Sequence, residues 1–233
     1  MSVDARIARG GVLALWAGFF LLLWTTGTSD RYLGSRTQWV VPFGAVVLAL
    51  ATLLYACTFA RSRRHGPALT LREASSLFAL LIPLAAVLLV PHAALGSFAA
   101  SRKGGGAHFL STQSAPAKPS DASFLDIRMA EGDATFAADA GIRTGLRVRL
   151  LGFVSGSPDV PAGTFEVARF YVACCIADAQ PVGVPVAADR SFRRDTWLDV
   201  TGTLERRGRR FVVRVQRIEH ASQPSQPYLS FRT

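Results

Sequence analysis

Residues 11–27 read GVLALWAGFFLLLWTTG, a run without one charged side chain. At 1.5 Å per residue, a helix over this run, extended through Thr28 and Ser29, comes close to the roughly 30 Å of a bilayer's hydrocarbon core. Arg6 and Arg9 precede it, as basic residues also precede a secretory signal. The apolar run is too long for such a signal, however, and TTGTSD offers no small-residue cleavage site, so a retained membrane helix over about 11–29 is expected. Two further runs lacking Asp, Glu, Lys and Arg, at about 39–60 and 76–96, have similar length and predict two more spans.

Working outward, composition divides the chain in two. Up to Leu95 there are eight Arg, no Lys and three acidic residues, against 26 basic and 16 acidic in all 233. With 50% hydrophobic and 18% charged residues, the whole chain is neither disordered nor an ordinary soluble domain. The first part reads as membrane and the second as a water-soluble domain. The second part's basic excess is too mild to require a nucleic-acid partner.

Orientation follows from the retention of Lys and Arg on the cytoplasmic side. Arg6, Arg9, Arg61, Arg63, Arg64 and Arg72 flank one side, against Arg31, Arg36, Arg102 and Lys103 on the other. The RSRRH cluster tips the balance, predicting a cytoplasmic N-terminus and an extracytoplasmic C-terminal domain in the plasma membrane. Trp24, Tyr32 and Trp39 then line the outer lipid interface. No Asp, Glu, Lys, Arg or His lies mid-span, which argues against an ion or proton pathway in these helices alone. Pro83 and Pro91 predict a kink in the third helix. Cys57 reads as a small apolar residue.

Residues 97–123, SFAASRKGGGAHFLSTQSAPAKPSDAS, predict a flexible linker in which His108 is solvated. In 124–140, LDIRMA suits a short strand and EGDATFAADAG a brief helix, and the two stay open. From Leu146 the period becomes two: Leu146, Val148 and Leu150 alternate with Arg147 and Arg149, the pattern of a strand. Strand-like runs follow at 164–173, 182–187, 197–204 and 211–218, separated by turn-forming SGSPDVPAG and ERRGRR. Five short strands would leave two edges as an open sheet, so a small closed OB-like barrel is expected over 124–233. Gly152 and Gly202 suit bends or bulges, and Trp197 suits a core ring. The fold class is therefore membrane α plus β: three transmembrane helices over 1–96, a linker, and a five-stranded barrel.

The unusual constellation is ACCIAD, which holds Cys174, Cys175 and Asp178. Two thiolates and a carboxylate offer soft and hard ligands to zinc. Adjacent side chains on a strand point to opposite faces, so both thiols reach one ion only where the strand has turned. A structural or partner-contact motif, a metal site and a thiol couple all remain open. The chain has no CxxC, nucleophile elbow, phosphate loop or metalloprotease helix motif, so an enzyme is not expected. Arg206, Arg207, Arg209 and Arg210 around Gly208 read as a solvated turn near anionic lipid.

The segments RFYVACCIADAQPVGVPV (169–186), WLDVTGTL (197–204) and PSQPYLSF (224–231), behind two helices, a basic loop and a third helix, resemble the YcgQ-like permease subunits, a domain of unknown function. The most specific resemblance lies in Arg169 and Phe170 followed by Cys175, Ile176, Ala177, Asp178 and Gly183, with Pro227, Tyr228 and Phe231 at the end. In relatives the position of Cys174 can be His, which keeps a metal ligand. The resemblance implies partnership with a separate multi-helix YcgR-like permease, with zinc or another metal as its family context. The loop RSRRHGPALTLRE, with only His65, departs from the His-rich loop of some relatives and argues against cytoplasmic metal buffering. The resulting expectation is an accessory permease subunit whose β domain contacts the permease or its ligand through Arg169, Phe170, Cys174, Cys175, Asp178 and Gly183. The alternative is a stand-alone zinc-binding or thiol-redox membrane sensor.

Overall fold

A computed structural model of the chain describes residues 4–34, 36–61, 68–89, 95–103 and 114–229. Expectations resting on Arg63, Arg64, His65, Pro91, His108 and Phe231 lie outside these residues. The chain divides into two compact units, Met1–Tyr32 with Arg36–Ala93, and Leu33–Ser35 with Ala94–Thr233.

The first unit contains helices α1 (Ala5–Thr26), α2 (Val40–Arg61) and α3 (Leu71–Leu89), each long and apolar enough to cross a membrane. Two of them begin earlier than their charge-free windows. The Asp4 carboxylate caps α1 by accepting from the Arg6 N–H at 2.9 Å, and Gly27 ends the helix at φ 64°. Helix α3 begins at Leu71 rather than Ser76 because Thr70 and Glu73 form a reciprocal cap, the Thr70 N–H donating to Glu73 at 3.2 Å. It runs on through Pro83 to Leu89, and the expected continuation over 90–94 lies outside the described residues. Phe20 of α1 lies against Gly44 of α2, where a Cβ would sit 2.6 Å from the ring. The Tyr55 hydroxyl donates to the Arg6 carbonyl at 3.0 Å.

The second unit opens with α4 (Ser97–Lys103), which corrects part of the flexible-linker expectation. Asp195, at φ 65°, accepts from both the backbone N–H and the hydroxyl of Ser97, and so caps this helix. Residues 124–140, open between strand and helix, are helical as α5 (Phe124–Gly132) and α6 (Ala134–Asp139). The α5 start is set by a capping box in which buried Asp126 accepts from the N–H and hydroxyl of Ser123, each at 2.7 Å.

Strands β1 (Arg147–Val154), β2 (Thr164–Tyr171), β3 (Gln180–Ala187), β4 (Trp197–Arg207) and β5 (Arg210–His220) form a closed barrel, as the alternating pattern predicts. Around it the order is β1-β2-β3-β5-β4 and back to β1. Four contacts are antiparallel and β3–β5 is parallel, which makes the barrel mixed. The β4–β5 register slips between Thr201 and Gly202, the bulge expected at Gly202. A two-residue strand, β6 (Tyr228–Leu229), joins β2 in parallel.

The alternating side chains Val148, Leu150, Val167, Val184, Val200, Leu204 and Val213 fill the barrel, and Phe124, Leu125, Ile127 and Ala130 of α5 pack into the same core. Helix α5 is thus the plug. Its Glu131 carboxylate accepts from the Phe211 N–H at 2.7 Å and pairs with Arg128. A smaller cluster joins Phe153, Ala168, Phe170, Val172 and Ala179 to Ala100 of α4, with Trp197 packed on it as a core ring.

Candidate functional site

The chain leaves β2 at Tyr171, buries Val172 and then bends through residues 173–175 into a single helical turn, Ile176–Asp178. Asp178 reaches back across this bend. Its Oδ1 accepts from the Ala173 N–H at 2.9 Å, and its Oδ2 from the N–H groups of Cys174 at 2.8 Å and Cys175 at 3.2 Å. Three successive amides thus close on one carboxylate, an anion-holding concavity of the kind short backbone turns form. The bend removes the objection that strand geometry raises. Cys174 and Cys175 no longer point to opposite faces, and their Sγ atoms and an Asp178 oxygen all lie within 4.8 Å of one another. No disulfide joins the two cysteines.

Electrostatics follow the same geometry. Burial pushes the Asp178 carboxyl up, but the hydrogen bonds from the N–H groups of Cys174, Ala173 and Cys175 outweigh it and hold the carboxyl below its usual range. The Cys174 thiol is pushed up to about 11, first by its hydrogen bond with Cys175 and then by that with Asp178. A reactive redox cysteine needs the opposite shift, toward thiolate at neutral pH. At neutral pH Cys174 is therefore a thiol. Cys174 is exposed, while Cys175 and Asp178 are half-buried, so the trio is floored by protein and open on one side.

Two residues outside the motif brace the turn, and both belong to the same unit as the barrel. Leu33 forms an antiparallel bridge with Cys175, and the Gly34 N–H donates to the Cys174 carbonyl at 3.1 Å. A Cβ at position 34 would lie 2.7 Å from the Val172 carbonyl oxygen, a contact only glycine accommodates. Leu33 and Gly34 carry no local sign of this role in the sequence.

The other expected site residues serve the barrel. Arg169 donates through Nε to the Pro227 carbonyl at 3.1 Å and through Nη2 to that of Gln226, fastening the segment that leads into β6. Phe170 is buried and stacked on Phe153, with ring centroids 5.7 Å apart. Gly183 leaves room for the Glu166 side chain, which accepts from the Ser155 hydroxyl at 2.7 Å. Of the six residues, the structure brings together Cys174, Cys175 and Asp178.

The arginine turn is largely engaged with its own chain. Arg206 lies over the Phe211 ring, Arg207 pairs with Glu205 at 3.9 Å, and Arg210 donates to the Asp159 carbonyl at 2.6 Å. A cleft of about 650 Å³ lies nearby, lined by Asp189, Arg190, Arg207 and Arg214, and Arg214 also pairs with Glu205. Sequence spacing does not foreshadow this cleft, because its lining comes from segments far apart in the chain, beside β2 and on β3, β4 and β5.

Comparison with curated proteins finds no match to the chain. Residues 139–230, from the end of α6 through β6, match the family model described as the DUF1980 C-terminal domain, and together with three helices long and apolar enough to cross a membrane this fits a membrane protein of unknown function.

Proposed function

We propose that this protein is the accessory subunit of a two-component permease, anchored by α1, α2 and α3, with its barrel outside the cytoplasm. One contrast carries the reading: the chain has a turn able to hold a ligand but, among the described residues, no polar route through the three helices to move it. Charged residues of the three helices are confined to the ends, at Arg6, Arg9, Arg61, Arg72 and Glu73. A translocation path requires polar groups facing the bundle interior, so passage falls to a separate multi-helix partner. The resemblance to YcgQ-like subunits supplies a YcgR-like permease as that partner. We read the barrel as OB-like from its five-stranded closure, and the basic N-terminal flanks support the outward orientation.

In this reading the helices dock on the permease while the barrel presents Cys174, Cys175 and Asp178 at the outer mouth. A stand-alone sensor, the rival, needs no such partner. The test is co-expression of the tagged chain with the YcgR-like permease, followed by isolation from detergent-solubilised membranes. The complex is expected to survive removal of residues 124–233 and to be lost without residues 1–96. Recovery of the chain free of permease overturns the reading. A topology reporter fused after Thr233 should read outside, and an inside signal overturns the orientation.

A further inference from the structure

We infer that the turn from Cys174 to Asp178 is an open three-ligand site for a soft-to-borderline divalent cation of the zinc class, bound by two thiolates and one carboxylate oxygen. This rests on the reading that the turn presents a ligand, and it names that ligand's chemical class.

Distance is the first support. A tetrahedral zinc with bonds of about 2.3 Å to sulfur and about 2.0–2.2 Å to oxygen sets its ligand atoms roughly 3.5–3.8 Å apart. The three atoms here already lie within 4.8 Å of one another, so closing the site calls for shifts of about 1 Å.

Lone-pair arithmetic is the second. A carboxylate offers about four acceptor positions, two on each oxygen. Three of these accept from the amides of residues 173–175, and the carboxylate also accepts from the Cys174 thiol, so the position that thiol proton occupies is the one a cation takes when the proton leaves. The same three amides fix the carboxylate's orientation, as the outer hydrogen bonds of metal ligands do.

The donor set then selects the metal. Magnesium and calcium take oxygen ligands almost exclusively, and copper(I) favours sulfur, whereas two sulfurs with one oxygen suit zinc. Among the described residues the cluster holds no fourth Cys, His, Asp or Glu, so one coordination position stays open for water or a ligand from a partner. An open position distinguishes exchangeable from structural zinc sites. As each metal–sulfur bond forms, the thiol's proton passes to water, and no electron is transferred.

The experiment uses the full chain in detergent carrying Cys57→Ser, so that Cys174 and Cys175 are its remaining thiols. After chelator stripping, the protein is titrated with zinc or cobalt(II) and its bound metal is counted. One zinc per chain is expected, retained against excess magnesium, with a sulfur-to-cobalt charge-transfer band for the cobalt form. Cys174→Ser alters an exposed side chain and should leave circular dichroism unchanged while weakening zinc binding by at least about tenfold. Cys174→Ser with Cys175→Ser should abolish the band. Zinc binding equal in this double variant, or cobalt bound without the band, overturns the inference. The permease co-isolation is scored on the same variants. If metal fails while the complex forms, this inference falls and the accessory reading stands; if metal binds while no complex forms, the reverse holds.

Discussion

The two units use the same aliphatic residues in opposite ways. In α2, Leu53 and Leu54 are 60% and 65% exposed, whereas Leu198 and Leu204 of the barrel are wholly buried. Burial in the barrel removes apolar surface from water, at about 25 cal/mol per Å². The helices are long and apolar enough to cross a membrane, where lipid would replace water as the solvent and an exposed leucine would carry no penalty. Apolar exposure in the first unit thus fits a lipid-facing surface rather than a fault in its packing.

This contrast is most exposed to refutation by paired truncations. Leu204→Ala should destabilise the barrel by about 2–5 kcal/mol, because it leaves a cavity in the buried core that the strands share with α5. Leu54→Ala should cost only about 0.5 kcal/mol, the insertion preference of one leucine. Urea titration in detergent, followed by near-ultraviolet circular dichroism, checks both. Equal losses would mean that α2 packs as a soluble core helix.

A smaller effect sharpens the division inside the barrel between core and fastening. Arg169→Ala removes two charge-assisted hydrogen bonds to the carbonyls of Gln226 and Pro227, at about 1.5–3 kcal/mol each in favourable cases. The expected result is early proteolytic release of the β6 segment with the rest of the barrel intact. Arg169→Lys should restore little, because lysine lacks the planar fork.

The mildest effects are opposite pH slopes from two carboxyls. Asp178 is held below its ordinary value of 3.8, so its contribution is fully present above that pH and is lost as pH falls through the lower folded value. Glu131 is raised above its ordinary 4.5, chiefly by burial against the attraction of Arg128, so the folded state binds more protons there and stability declines as pH rises past 4.5. Asp178→Asn should flatten the acid-side loss and Glu131→Gln the decline above it, as read from melting temperature against pH. Matching slopes in the two variants would contradict the assignment.

How much of this was legible in the sequence depends on whether the signal was local. The alternation of Val148 and Leu150 with Arg147 and Arg149 marked β1, and each of the other four barrel strands fell close to its expected bounds. Strand β6 escaped because two residues have no period; its position is owed to the Arg169 side chain 57 residues away from Gln226. The α5 region was ambiguous because a plug buries nearly every face, so Phe124, Leu125 and Ile127 show no amphipathic stripe. Its capping residues Ser123 and Asp126 were the available cue, as were Thr70 and Glu73 for α3. At the site, the ligand types could be read from ACCIAD, but their convergence depended on a backbone bend that side-chain chemistry does not encode.

That bend separates shape from content. Besides the Cys174 thiol, Asp178 accepts from the main-chain amides of residues 173–175, which every residue except proline provides whatever its side chain. Positions 174 and 175 can therefore exchange thiol for imidazole or hydroxyl while the loop keeps its form, provided that the group at 175 still accepts from the Asp178 N–H, and natural variation can retune what the loop presents without rebuilding the barrel. Only the aspartate is fixed in place, as the keystone under two interchangeable stones.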